Sequence, residues 1–134
     1  MSLDTALAKA QTSIPECVAA GYVDMSTGML LGVKTVDSHP MEILDLVAAA
    51  TADLFQGQSV TAIEKMFRKS RGQPEDGKHF FREFIVFSEN LLHVFIRSKK
   101  YPSHAATFVC RATANIGMAL TKARMAITDL ENSI

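Results

Sequence analysis

Apolar positions recur along the chain with two distinct periods. From Leu3 to Thr12 they fall at Leu3, Ala6, Leu7 and Ala10, the three-and-four spacing of one helix face, with Ser2 placed to cap and Asp4 in the first turn. Ile14-Pro15 stops this helix, because proline disfavours helical geometry in the residue before it and brings no amide to the ladder. Cys17 to Val23 and Met29 to Thr35 then read as strands of a hairpin, joined by Asp24-Met25-Ser26-Thr27-Gly28, whose glycine can adopt the positive φ of a tight loop. These strands are apolar on both faces, so the first is expected inside a sheet and covered on both sides. The small residues Ala19, Ala20, Gly21 and Gly32 leave room for a helix to approach closely.

The helical period returns at Met41 to Phe55, MEILDLVAAATADLF, preceded by start signals in Asp37, Ser38 and Pro40 and by Glu42 at the positive dipole end. Ile43, Leu46, Val47, Ala50 and Leu54 form one apolar stripe, and Met41, Leu44, Ala48, Ala52 and Phe55 form a second beside it. Together they cover roughly two thirds of the helix, whereas a helix lying on one sheet needs a stripe only ~100° wide. The polar Glu42, Asp45 and Asp53 are confined to the remaining arc. The expectation is that the Ile43 stripe packs in the chain's own core and the Met41 stripe meets a second copy.

Ser59 to Lys69 continues in helical register through Ile63, Met66 and Phe67, with Ser59 or Thr61 as candidate caps. Ser70 to Lys78, SRGQPEDGK, is polar, rich in turn residues, and reads as an exposed loop and the segment most prone to disorder. Alternation resumes at Phe80 to Ser88 and Leu91 to Ser98, a second hairpin turning at Glu89-Asn90. Ala105 to Arg111 supplies a fifth strand and Ala112 to Leu130 a last helix. The order is α-β-β-α-β-β-β-α with an additional helix after the central one. Its economical packing is α+β: a five-stranded antiparallel sheet with helices on its faces.

Composition narrows the function more than the fold. A chain of 134 residues is sized for a single domain spanning 1–134. Lys and Arg number 14, as do Asp and Glu, so no net charge favours nucleic acid or an anionic membrane as partner. No basic leader or membrane-length apolar run is present, which points to a cytoplasmic protein. Cys17 and Cys110 lie in apolar stretches without ligand spacing and read as buried reduced thiols.

Catalytic and metal chemistry find no foothold in the spacing. His39, His79, His93 and His104 lie in separate segments, and none forms a paired ligand motif. His39, His79 and His104 read as surface, and His93 as facing solvent or an edge partner. Gly28-Met29-Leu30-Leu31-Gly32 lacks the glycine spacing of a phosphate loop. The basic run Arg97-Ser98-Lys99-Lys100-Tyr101, like Arg68, Lys69 and Arg71, reads as a solvated surface. No catalytic, cofactor or metal residue is assigned.

Three stretches in this order resemble the roadblock/dynein light chain family, of profilin-like fold, which includes bacterial MglB-like GTPase regulators. They are Val18 to Val33, VAAGYVDMSTGMLLGV; Phe84 to Ile96, FIVFSENLLHVFI; and Ala114-Asn115-Ile116-Gly117. The chain departs from the compact family pattern between Gly57 and Phe80, where the connection is longer and holds the additional helix. The resemblance implies an edge position for the third strand and a homodimer joining those edges while the central helices pack together. The implied interface comprises Met41, Leu44, Ala48, Thr51, Phe55, Phe84, Ile85 and Val86. Such a seam would cover both the second helix stripe and an apolar edge strand otherwise prone to aggregation.

The expected function is therefore a non-enzymatic homodimeric interaction module, with a small Ras-like GTPase as the partner the resemblance implies. A small-ligand sensor is the alternative, since such sheets can enclose an apolar pocket and Phe84, Phe87, Phe95 and Phe108 could wall it.

Overall fold

The Ser2 side chain accepts the Thr5 amide and opens helix α1, Leu3–Ser13, as its spacing predicts. The computed structural model describes residues 1–37, 41–74 and 79–134, with backbone alone for 41–43. The start signals Ser38 and Pro40, His39, the side chains of Met41, Glu42 and Ile43, and residues 75–78 of the polar loop lie outside the described residues. After α1 come β1 (Cys17–Asp24), β2 (Met29–Thr35), α2 (Met41–Gln56), α3 (Gln58–Ser70), β3 (Glu83–Phe87), β4 (Leu91–Arg97), β5 (His104–Arg111) and α4 (Ile116–Glu131).

The strands form one antiparallel sheet in the order β2-β1-β5-β4-β3. β1 is interior, as its two apolar faces require, and β3 lies at an edge. Gly28 turns the first hairpin with φ 72°. Gly32 admits α1 against β2: a Cβ there would stand 2.8 Å from Leu7 Cδ1 and 3.1 Å from Leu3 Cδ2.

Helices α1 and α4 share one face of the sheet, where Leu7, Ala10, Tyr22, Val94, Phe108, Ala123 and Leu130 belong to the larger core. α2 covers the opposite face with a smaller cluster, Val23, Met25, Ala48, Phe55, Phe95 and Ala105. Each fully buried large apolar side chain contributes about 1.5–3 kcal/mol, so most of the stabilisation lies on the α1/α4 side. The α2 side is the less completely covered layer.

Element ends differ from the sequence reading where side chains intercept the backbone. β3 begins at Glu83 rather than Phe80, because the Glu64 carboxylate takes the Phe80 amide at 2.6 Å. α4 begins at Ile116 rather than Ala112, with the Asn115 side chain accepting the Met118 amide as N-cap. α3 is preceded by Gly57, not capped by Ser59 or Thr61. The Gly57 amide still bonds the Asp53 carbonyl of α2 at 2.9 Å, so a single residue separates the two helices.

Candidate interaction surface

The face that α2 turns to its own sheet is mainly the stripe expected to meet a partner, although Leu54 of the other stripe also packs on the smaller cluster. Ala48, Thr51 and Phe55 are each 0% exposed, and Leu44 and Ala52 are half-buried. Small side chains at Ala48 and Thr51 let the helix sit close to the sheet, and Thr51 reaches Thr107 of β5 through a shared hydrogen bond of 3.1 Å. Phe55 packs edge-on against Phe84 at 5.0 Å. Ala48, Thr51 and Phe55 are thus core residues of this chain and unavailable to a partner. The outward stripe is Leu46, 70% exposed, with Val47 and Ala50 beside it. Both stripes were legible as apolar; the bulk of Phe55 and the fit of Thr51 on Thr107 decide which one faces inward.

The edge strand divides its side chains between the two sheet faces. Val86 pairs with His93 and Phe84 with Phe95 on the α2 side, while Ile85 and Phe87 stand on the α4 side. Phe84 is half-buried beneath Phe55, whereas Ile85, Val86 and Phe87 are exposed. Of the residues expected at the interface, Ile85 and Val86 are open to a partner, Leu44 is partly open, and the Met41 side chain lies outside the described residues.

Between the first half of α2 and the sheet runs an apolar groove of about 870 Å³, lined by residues including Ala19, Val33, Leu44, Val47, His93, Thr107 and Val109. Burial holds the His93 imidazole below its ordinary pKa where it lines this groove. Its Nε2 lies 3.0 Å from Ser88 Oγ, and its ring stacks on Phe95. Leu44 and Val47 of α2 line one side of the groove, and Val86, paired with His93, extends the apolar face towards the β3 edge.

His79, His104 and both cysteines make contacts within the fold. Among the described residues no three His, Cys, Asp or Glu side chains gather as a metal site. Cys17 and Cys110 are opposite each other across β1 and β5, both buried free thiols. The hydrogen bond with Cys110, reinforced by burial, pushes the Cys17 thiol up. His104 Nδ1 meets the Tyr22 hydroxyl at 3.1 Å. His79 is not bare surface, since its Nδ1 contacts Glu64 at 2.9 Å.

No family model matches the chain, and no curated protein matches it. Solved structures do. Two MglB structures, one described as having a tetrameric arrangement and one the gliding protein MglB of Thermus thermophilus, each give a TM-score of 0.73 at 17% identity, covering 96% of this chain and 85% of theirs. A Roadblock/LC7 domain from Streptomyces avermitilis gives 0.65 at 14% identity over 98% of this chain and 97% of its own. The chain has the roadblock fold.

Two features of this roadblock fold escaped the sequence reading. Arg97, expected on a solvated surface as part of a basic run, is 1% exposed. Strand alternation with His93 and Phe95 would have placed it on the α2 side of β4. Its guanidinium donates to the carbonyls of Phe55, Phe81 and Pro102. Arg68 is likewise buried, with its guanidinium 4.5 Å above the Phe80 ring. No periodicity announces Arg68, because the segment it packs on lies beyond a polar loop.

Proposed function

We propose that this chain is a non-enzymatic, cytoplasmic interaction module of one domain that self-associates as a homodimer and regulates or scaffolds a small Ras-like GTPase. The observation that carries the reading is the incompletely covered α2 face: Leu44 and Val47 line an apolar groove that Val86 extends to an edge strand with one unpaired side, and Leu46 stands exposed on the same helix. Exposed apolar surface of this continuity marks a contact site, and an apolar edge strand needs covering. The outward stripe Leu46, Val47 and Ala50, together with Ile85 and Val86, is the assigned seam, and Asp45 and Asp53 are its polar rim. The tetrameric arrangement described for one MglB structure is consistent with self-association. Among the described residues no helix is long and apolar enough to cross a membrane.

Sedimentation at micromolar concentration tests the first step: a dimer is expected, and a monomer would reject the module as framed. Candidate GTPases from the same cell test the second, by binding and by hydrolysis rate; no effect on either removes the GTPase. The groove itself favours one other reading, a small-ligand sensor, since its volume and apolar walls suit a small molecule. Thermal shift against a metabolite library separates the two, because a ligand stabilises by mass action whether or not the protein dimerises.

A further inference from the structure

Helix α3 is turned inside out with respect to its own polarity. Glu64 and Arg68 are 4% and 8% exposed, whereas Ile63, Met66 and Phe67 are 42%, 70% and 47% exposed. The roll of the helix is fixed from within: Glu64 accepts the Phe80 amide and the His79 contact, and Arg68 stacks on the Phe80 ring. Those contacts leave Ile63 and Met66 pointing outward and Phe67 about half exposed, its ring edge-on to Phe80 at 6.2 Å. Lys65 and Lys69, one turn apart, flank Met66 and with Gln73 bound a shallow cavity of about 320 Å³. With Glu64 turned inward, no carboxylate of α3 faces solvent, and its exposed charges are cationic.

We propose that α3 is a peripheral docking surface for an anionic phospholipid bilayer, with Met66 and Phe67 entering the interface and Lys65 and Lys69 taking headgroup phosphates. Area argues for lipid over protein: the three exposed apolar side chains offer roughly 300 Å², against the ~450 Å² of apolar surface that a stable protein interface buries per partner. A convex helix with protruding apolar residues rimmed by ammonium groups is the chemistry that lies in a headgroup layer. The chain's overall neutrality does not oppose this, since charges beyond ~10 Å are screened and the local cations dominate. The surface is separate from the α2 seam.

Co-sedimentation of the full chain with phosphatidylcholine vesicles, with and without one quarter phosphatidylglycerol, tests the assignment. Binding is expected only to the anionic vesicles and is expected to weaken as salt is raised. Lys65→Gln with Lys69→Gln should lower the partition coefficient by about 25-fold, at about fivefold per cation. Met66→Ser with Phe67→Ser should also lower it; circular dichroism should be unchanged in both double variants, and melting should fall only in the second, where the edge-on contact of Phe67 with Phe80 is lost. Absence of wild-type binding, or binding that the Met66 and Phe67 changes leave intact, overturns the proposal. So does a wild-type oligomer that binds no vesicle and dissociates in that double variant, which would make α3 a protein seam.

Discussion

The Arg97 guanidinium donates to the Phe55 carbonyl at 2.9 Å and lies 4.9 Å above that residue's ring. One cation thus closes the end of α2, holds the chain before β3 through Phe81, and holds the β4–β5 connection through Pro102. Burial lowers its pKa from the ordinary arginine value without neutralising it. Arg97→Met should strand three carbonyls and cost about 2–4 kcal/mol, read as a lowered denaturation midpoint at unchanged m-value. Arg97→Lys, with a single flexible ammonium, should recover only part of that loss. A neutral Arg97→Met would mean that water replaces the guanidinium at no cost.

Glu64 gives the fold a pH dependence of definite sign. Burial alone would raise its carboxyl pKa, yet the hydrogen bonds from His79 and the Phe80 amide outweigh burial and hold it below the ordinary value. A carboxyl depressed in the folded state adds stability above its unfolded pKa, about 4.3, and loses it as pH falls through the folded value. Glu64→Gln should therefore cost about 1–2 kcal/mol at pH 7, and the gap from wild type should close below roughly pH 4. Urea titrations at several pH values measure it. A gap constant with pH would show that the His79 and Phe80 contacts do not depend on charge.

The two faces of α2 should respond oppositely to the same change. Ala48→Glu places a carboxylate against the sheet and should unfold the chain or destabilise it by several kcal/mol. Leu46→Glu should alter folding stability by only about 0.5 kcal/mol while abolishing self-association in sedimentation. A Leu46→Glu protein that remained fully dimeric would move the seam away from α2.

Cys17 and Cys110 should resist labelling in the native protein. Cys17 is held as a thiol, and Cys110, whose pKa is lowered by the hydrogen bond with Cys17, is 0% exposed. Reaction with an aromatic disulfide reagent should run at least about a thousandfold slower than in denaturant, because it awaits opening of the β1–β5 pair. Fast labelling of either thiol would show that this pair opens locally.

Much of the architecture was legible because it depends on local periodicity. The Leu3–Leu7 spacing, the Gly28 turn and the alternation of β4 each specify an element without reference to distant residues. The apolar character of both α2 stripes was equally legible. Their assignment was not, since inward and outward differ only by which stripe complements Thr107, Phe84 and Arg97, and those contacts join residues far apart in sequence. Arg68 and Glu64 were opaque for the same reason: their burial depends on Phe80 and His79 returning across a loop.

Gly57 lies between α2 and α3 with no room for a side chain, since a Cβ there would stand 2.6 Å from the Asp53 carbonyl. A joint of one residue, itself still bonded into the preceding turn, has no slack to absorb rotation. The Leu46 stripe and the Met66 patch are therefore the two arms of a fixed elbow. An occupant of α3 would meet α2 at an angle that the joint has already set.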